Sequence, residues 1–197
     1  MELGTRTRKR LRPEERRELI ELEARRLFGR HGYAATRLED VASAAGITKP
    51  MVYRHFASKK DLYQTLLRRH ERDLSTFIGP DALAVESPAA AIEAILGPWL
   101  DYADENSDSW LIIFRDKTGD AEIERARVSV NRRATEVLAA FLREMSPDLD
   151  PELVEPTADF LRTGLAGLIL WWIDHPSVPK KVVQTTATRA CLAVLGR

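Results

Sequence analysis

The stretch AAGITKPMVYRHFASKKDL, residues 44–62, places a glycine, a proline and several hydrogen-bonding side chains between two short apolar segments. Gly46 can adopt a positive φ without steric cost and so can turn the chain sharply. Thr48 is a suitable N-cap residue for a following helix, and Pro50 is tolerated in its first turn, where the missing N–H would have no partner. The stretch therefore predicts two short helices joined by a tight turn, which is the helix-turn-helix arrangement.

Helix signals on both sides of this turn complete a three-helix unit. A preceding helix is expected over residues 13–32, from a proline in its first turn to a terminating glycine. Thr36 and Glu39 have the capping-box spacing at the start of the second helix. Ser58 and Asp61 repeat this spacing after the third helix, so a fourth helix is predicted to begin there.

The side chains of the third helix divide into an inner and an outer face. With about 100° between successive residues, Val52 and Phe56 point toward the second helix, whereas Pro50 and Arg54 point away from it. Arginine and lysine can donate hydrogen bonds to guanine in the major groove, and apolar surfaces can contact the thymine methyl group. We therefore assign base contacts to Lys49, Pro50, Met51 and Arg54, phosphate contacts to Thr36, Arg37, Tyr53, His55 and Lys59, and a position on the DNA-facing side to Thr48.

Simpler interpretations of two of these residues stay open. Lys59, with Lys60 beside it, is also typical of a solvated helix start. A lone histidine such as His55 is more often a partly buried packing residue than a ligand-binding one. Only their position within the helix-turn-helix pattern favours a role in DNA binding.

The formal net charge of zero hides two oppositely charged parts. Residues 1–70 contain 17 Lys/Arg and 9 Asp/Glu, whereas residues 71–197 contain 13 and 21. The basic N-terminal part favours a nucleic acid or another acidic surface as its partner. Residues 1–12 are rich in arginine, and we interpret them as a flexible basic arm that either improves solubility or reaches into the minor groove of DNA.

Composition and motifs exclude several other classes of protein. Cys191 is the only cysteine, which excludes an intramolecular disulfide framework and favours a reducing, cytoplasmic location. The four histidines are scattered, and no hydrolase, metalloprotease, P-loop or dinucleotide-binding motif occurs. The most apolar run, residues 164–173, is too short to cross a membrane. We therefore expect no enzyme activity, no cofactor, no metal site and no membrane partner.

Residues 14–70 resemble the DNA-binding domain of the tetracycline-repressor (TetR) family of bacterial transcription regulators. The resemblance is carried by LFGRHGYAATRLEDVASAAGITKPMVYRHFASKKDLYQTLL, above all by residues 46–62. It implies a homodimer whose two helix-turn-helix units enter successive major grooves of a palindromic operator in double-stranded DNA. The resemblance implies the base and phosphate contacts assigned above, except for the contact of Arg37. It also implies that the protein represses transcription, which is the family's usual behaviour.

The whole chain is predicted to be all-α, with a small DNA-binding domain and a larger helical domain. The arm at residues 1–12 is followed by the DNA-binding domain at residues 13–60 and by an effector-binding and dimerisation domain at residues 61–197. No useful length of the second domain alternates with a period of two, so no sheet is expected. Its helices are predicted at residues 87–105, 108–116, 120–145, 151–174 and 178–195.

The resemblance implies that the last two helices form a four-helix bundle with their symmetry mates. Gly164 and Gly167 would allow close helix approach. The alternative is that this apolar strip is core within one chain. The residues predicted at the dimer interface are Leu165, Leu168, Ile169, Trp172, Val183, Ala190 and Val194.

The resemblance also implies an effector pocket among the other helices of the second domain. Aromatic walls with a few polar groups suit a small apolar or amphipathic effector of unknown identity, although aromatic residues at helical spacing are more often core. Arg127 and Asn131 are candidates to hold a polar head group. The function expected is that of a repressor released by this effector; the alternative is a helical protein-interaction adaptor without operator binding. The aromatic candidates are Trp99, Tyr102, Trp110, Phe114, Phe141 and Trp171.

Overall fold

The computed structural model describes residues 12–78 and 87–195, apart from the side chain of Pro88. Within these ranges all regular secondary structure is helical, which confirms the predicted fold class. The predicted arm lies outside the described residues except for Arg12. The helices are α1 (Pro13–Ala35), α2 (Leu38–Ala44), α3 (Lys49–Tyr53), α4 (Lys59–Ser75), α5 (Pro88–Glu105), α6 (Ser107–Phe114), α7 (Ala121–Met145), α8 (Pro151–Asp174) and α9 (Lys180–Val194).

Local signals account for several of the helix ends. At the start of α4 the Ser58 hydroxyl accepts the Asp61 N–H at 3.0 Å, as the capping spacing predicts. At Gly32, where the first helix was predicted to stop, φ is +76° and the helical path is interrupted before the chain reaches Ala35. A side chain would be strained at this φ, so glycine suits the position.

The predicted cap of α2 is wrong by one residue. The N-cap position is occupied by Arg37, whose N–H is accepted by the Asp40 carboxylate at 3.2 Å. The Thr36 hydroxyl instead donates to the Gly32 carbonyl at 2.8 Å. Thr36 therefore closes the end of α1 rather than the start of α2, a competing hydrogen bond that the spacing with Glu39 did not reveal.

The N-terminal helices enclose an apolar core. Phe28, Val41, Val52, Phe56 and Leu62 are each 1% exposed or less. Val52 and Phe56 point inward, as the helical spacing predicts. The inner face of α3 is therefore fixed against α1 and α2 by burial of apolar surface.

The core does not end where the helix-turn-helix ends. Tyr63 and Leu67 of α4 pack in one cluster with Ile112 of α6 and Ile123 of α7. The helix α4 thus belongs to both parts of the molecule, and the division after residue 60 stays a prediction.

The C-terminal part is built on contacts of α7 with α8 and of α5 with α9. Leu142, Val154 and Ala187 belong to one buried cluster, and Leu100 and Ile169 belong to another. No helix in the described ranges is both long enough and apolar enough to span a membrane.

Candidate DNA-binding surface and effector cavity

The turn between α2 and α3 is held by backbone geometry. Gly46 has φ of +62°, and the Ile47 N–H donates to the Ala42 carbonyl at 2.9 Å. Ala45 is buried beneath the turn. The turn therefore sets the direction in which α3 leaves α2, and burial of Val52 sets its rotation.

The opposite side of α3 forms what we call the recognition edge, residues 48–51, 53 and 54. Thr48, Pro50, Tyr53 and Arg54 are exposed on it, while Lys49 and Met51 are half-buried. A guanidinium nitrogen of Arg54 lies 3.7 Å from the Met51 sulfur. Thr48 occupies the N-cap position of α3, but its side chain makes no capping hydrogen bond.

Lys49 is paired with a carboxylate on α2. Its ammonium group bonds to Glu39 and lies 5.7 Å from the centre of the Tyr53 ring. This pairing raises the pKa of Lys49 and lowers the pKa of Glu39. Both side chains are accessible to solvent, where such a pair contributes little to stability, so Lys49 can exchange Glu39 for another acceptor at small cost.

Two of the predicted phosphate contacts have internal partners. The Lys59 ammonium donates to the carbonyls of Tyr33 and Thr36 at 2.7 and 2.9 Å, and burial lowers the pKa of Lys59. Thr36 is 2% exposed and its hydroxyl faces α1. The prediction that the Thr36 side chain contacts DNA is therefore wrong, since it lies inside the unit. Lys59 holds the link between α1 and α2 in place.

Additional positive charge comes from α1, which the sequence prediction did not include. The Arg17 side chain lies 4.5 Å from the centre of the Phe56 ring and donates to the His55 carbonyl at 3.2 Å. Burial, followed by the charges of nearby arginines, lowers the pKa of His55 and keeps its imidazole neutral near pH 7. The basic residues at the start of α1 are visible in the sequence, but only the fold shows that they lie next to α3. Arg37, a predicted phosphate contact, is exposed at the start of α2.

A cavity of about 530 Å³ lies among α4, α5, α6, α7 and α8. Four predicted pocket residues line it: Trp99, Trp110, Phe114 and Asn131. Trp110 stacks on Phe114 and meets Trp99 edge-on, with ring centres 5.5 and 5.3 Å apart. The walls are mainly apolar, and further lining residues that the sequence prediction missed include Leu96, Ile113, Val130, Leu138, Leu165 and Ala166.

His70 is a buried polar residue of this cavity that the sequence prediction missed. It is 2% exposed, and its ring meets Trp110 edge-on with centres 5.1 Å apart. Its Nδ1 atom lies 3.1 Å from the Tyr102 hydroxyl. Burial lowers the pKa of His70 to about 3. The sequence placed His70 on α4, but nothing local indicated which cavity the helix would border.

The other predicted pocket residues lie elsewhere. Tyr102 lines a neighbouring cavity of about 270 Å³, and Phe141 is buried in the core between α7 and its neighbours. Trp171 is 45% exposed and stacks on His175, with ring centres 4.3 Å apart. These positions correct the prediction, because helical spacing does not tell which face of a helix borders a cavity. Arg127 is also outside the cavity.

Arg127 belongs instead to a polar junction between the two parts of the molecule. The Asp116 carboxylate accepts the Tyr33 N–H and the Tyr63 hydroxyl, each at 2.8 Å. A guanidinium nitrogen of Arg127 donates to the Tyr63 oxygen at 3.2 Å. Burial, and then the bonded carboxylate, raise the pKa of Tyr63 and keep its hydroxyl protonated. The junction thus connects α1 and α4 to the segment between α6 and α7. Both α6 and α7 also line the cavity.

A second tie joins the start of α4 to the start of α7. The Lys60 ammonium lies 2.9 Å from Asp120 and 3.0 Å from Glu122. These carboxylates raise the pKa of Lys60. In the described part of the chain, no cluster of three or more His, Cys, Asp or Glu side chains is arranged to hold a metal ion.

Comparison with known proteins agrees with this architecture. Residues 22–66 match the model of the bacterial regulatory proteins of the tetR family. The transcriptional activator FasR of Mycolicibacterium smegmatis is 30% identical over 111 residues, 56% of this chain and 51% of FasR, so the chain spans about half the length of that relative. The transcriptional repressor KstR2 of Mycobacterium tuberculosis is 30% identical over 150 residues, which cover 71% of this chain and 73% of KstR2. The chain belongs to the tetR family.

The fold of this tetR-family protein also matches a solved relative along most of its length. SmeT, the repressor of a Stenotrophomonas maltophilia multidrug efflux pump, was solved as a complex with triclosan. That structure superposes with a TM-score of 0.74 and 20% identity, covering 90% of each chain. At this identity the match establishes the shared fold.

For this tetR-family protein, three of the seven residues predicted at the dimer interface lie inside the chain's own core. Ile169, Trp172 and Val183 are each 8% exposed or less and pack within the chain's own core. Leu165 lines the cavity, and Leu168 packs against the same core. Val194 is half-buried against the core of the C-terminal part. The alternative of an intrachain core therefore holds for Ile169, Trp172 and Val183. For the half-buried Leu165, Leu168 and Val194 and the exposed Ala190, the interface stays a prediction.

The opposite face of α8 carries an exposed apolar surface. We call it the outer stripe: Leu153, Phe160, Gly164, Gly167 and Trp171, which recur at three-, four- and seven-residue spacing. Leu153, Phe160 and Trp171 are 52, 65 and 45% exposed. A Cβ atom at either glycine would have no neighbour within 4 Å among the described residues. The stripe is therefore open and can be approached closely by another helix.

Proposed function

We propose that this chain is a homodimeric, sequence-specific regulator of transcription that binds double-stranded DNA. The observation that carries this proposal is the recognition edge, an exposed row of polar and apolar side chains on a short helix whose other face is fully buried. Such an edge fits the major groove, which admits one helix. Its partner, chromosomal DNA, would locate the protein in the cytoplasm.

The side chains of the edge suggest a division of roles. Arg54 can contact guanine through two hydrogen bonds, and Lys49 can donate to guanine after releasing Glu39. Pro50 and Met51 offer apolar contact for a thymine methyl group. We assign phosphate contacts to Thr48, Arg37, Tyr53 and His55; such contacts set the position of the protein on the duplex rather than its sequence preference.

The outer stripe supports the second element of the proposal, the homodimer. An exposed row of large apolar side chains with two glycines suits packing against its own copy around a twofold axis. On α9, Val182 is 52% exposed, a further large apolar side chain open to a partner. A twofold dimer would present two recognition edges, which fit a palindromic operator with half-sites about 34 Å apart.

A small apolar or amphipathic effector in the 530 Å³ cavity is the third element. Its size and walls suit such a ligand, and SmeT, a member of the same fold, was solved with triclosan. We propose repression released by this ligand. KstR2 and SmeT are both described as repressors, whereas FasR is an activator. The junction at Asp116 connects the cavity helices to α1 and α4, so a shift of α6 would move the recognition edges apart or together.

A gel-shift experiment with DNA flanking the coding region tests the proposal. The wild-type chain should give a sequence-specific shift, and Tyr53→Ala and Lys49→Ala should weaken it by about 1–3 kcal/mol each. Arg143→Ala is the matched control, because it removes an exposed positive charge at the far end of α7. Absence of any specific shift with the wild-type chain would contradict the proposal and favour the adaptor.

A further inference from the structure

Two residues that line the cavity each have a buried polar atom without a hydrogen-bond partner among the described residues. These atoms are the indole Nε1 of Trp110 and the imidazole Nε2 of His70. Their side chains are 1 and 2% exposed, both line the cavity, and their rings are in edge-on contact. A buried polar group without a partner is costly, so a ligand that satisfies both atoms would bind favourably here.

The hydrogen bonds of His70 with Tyr102 and Asp73 determine whether the unpartnered Nε2 atom of His70 is a donor or an acceptor. The Tyr102 hydroxyl lies 3.2 Å from the Asp73 carboxylate, which can only accept, so Tyr102 donates its proton to Asp73. The Tyr102 oxygen must then accept from His70, and Nδ1 carries the hydrogen of that 3.1 Å bond. Because the imidazole is neutral, Nε2 is a bare acceptor.

The two residues therefore offer one donor, Trp110 Nε1–H, and one acceptor, His70 Nε2, on rings whose centres are 5.1 Å apart. A hydroxyl group can accept from the first and donate to the second. An ether oxygen can only accept, and a methyl group can do neither. A carboxylate would accept from Trp110 but would set its charge against the lone pair of Nε2 in a buried apolar site.

The charged groups at the cavity mouth do not favour an anion. Arg133 is bonded to Glu71 at 2.8 Å, and Arg162 is bonded to Asp159 at 2.6 Å. These two arginines are therefore already neutralised by partners on the protein. Arg68 and Arg72 lie exposed at the mouth, where solvent screens their charge.

We propose that the cavity binds an apolar molecule with one neutral hydroxyl group, held between Trp110 Nε1–H and His70 Nε2. The inference builds on the proposed effector site and names its ligand class, an aromatic or aliphatic alcohol. The ligand hydroxyl donates to His70 and so extends the series of hydrogen bonds from His70 through Tyr102 to Asp73. The apolar part of the ligand lies against Trp99, Phe114 and Leu138.

Four matched probes test the class of ligand by calorimetry on the full chain at neutral pH: 2-naphthol, 2-methoxynaphthalene, 2-methylnaphthalene and 2-naphthoate. They share one ring system and differ only in the group presented to the wall. We expect 2-naphthol to bind about tenfold to thirtyfold more tightly than 2-methylnaphthalene, because two hydrogen bonds distinguish them. The methoxy probe should fall between them, and the carboxylate should bind more weakly than 2-naphthol.

Two variants assign the preference to the named atoms. Trp110→Phe and His70→Leu should each reduce the ratio of 2-naphthol to 2-methylnaphthalene affinity to about threefold or less, while the methyl probe binds nearly as before. Val137→Ala, a change in the apolar lining, should weaken all probes alike and keep the ratio. The probe series on the wild-type chain stands by itself if either variant fails to fold.

Four results would overturn the proposal: equal affinity for the hydroxyl and methyl probes, tighter binding of 2-naphthoate, no binding of any probe, or a preference that survives in both variants. The gel-shift with flanking DNA, run on the same protein, separates this proposal from the proposed function. A hydroxyl preference without a DNA shift would leave the ligand class standing and contradict the regulator. A DNA shift without the hydroxyl preference would support the regulator and contradict the ligand class.

Discussion

The recognition edge and the cavity differ in how far along the chain their residues are spread. The edge comes from six positions within residues 48–54, and its orientation depends on neighbours such as Gly46 and Val52. The cavity takes its walls from five helices, between residues 68 and 166. A surface formed by a local segment follows from spacing, whereas a cavity follows from how distant helices pack.

The largest expected effect is a loss of stability when a buried side chain beneath the recognition edge is shortened. Phe56→Ala should destabilise the fold by about 3–5 kcal/mol, because Phe56 is 1% exposed and the cavity left behind would be lined by α1 and α2. Phe141→Ala is the matched variant in the other region, with a similar cost. Urea unfolding measures both.

DNA binding should separate these two variants under conditions where both are folded. Phe56→Ala should weaken binding because α3 loses its inner contact, while Phe141→Ala should leave it nearly unchanged. Equal loss of DNA affinity in the two variants would remove the distinction between the regions.

The next largest effect is expected at the polar junction around Asp116, which connects the two regions. Asp116→Asn replaces a carboxylate that accepts from Tyr33 and Tyr63, so we expect a loss of about 2 kcal/mol in unfolding free energy. Asp148→Asn, an exposed change between α7 and α8, should cost under about 0.5 kcal/mol. Similar stabilities of the two variants in urea would show that the junction does not hold the regions together.

The cavity adds a dependence on pH. The pKa of His70 is about 3 in the folded chain and about 6.5 in an unfolded one. Below pH 6.5 the unfolded chain binds a proton that the folded chain does not, so stability falls as pH falls. From pH 7 to pH 5 the loss should be about 2 kcal/mol.

His70→Leu should lack this contribution, and its urea midpoint should vary less between pH 7 and pH 5 than that of the wild-type chain. The other ionisable groups are common to both proteins and cancel in the comparison. The same pH dependence in the two proteins would contradict the buried, neutral state of His70.

The smallest effect is at the edge itself. Glu39→Gln removes the partner of Lys49 and a negative charge next to the DNA-facing surface. We expect DNA affinity to rise about twofold to threefold, with a slightly steeper dependence on salt. Fluorescence anisotropy measures this, with Glu144→Gln as an exposed control. Unchanged or weaker binding would show that Glu39 does not compete with DNA for Lys49.

Much of the fold and of the edge could be predicted because the signals are local. Gly46 marks the turn, Ser58 marks the start of α4, and the spacing of Val52 and Phe56 sets the inner face of α3. The cap at Thr36 could not be predicted in this way, because its hydroxyl has two possible partners and only the fold selects Gly32.

The cavity and the apolar surface were harder to predict because apolar residues lie on more than one face of α8. Ile169 and Trp172 look suited to an interface, yet they form core, and the less uniform row with Phe160 and Trp171 is exposed. His70 was missed for a related reason: a histidine becomes part of a cavity wall only through the helices that pack around it.

Selection from a pool of random DNA duplexes by the full chain tests the central claim most directly, because it needs no knowledge of the operator. We expect enrichment of a twofold-symmetric sequence with half-sites about 34 Å apart, and no enrichment by a Lys49→Ala, Arg54→Ala double variant. Recovery of unrelated sequences by the wild-type chain, or the same enriched sequence with the double variant, would contradict it.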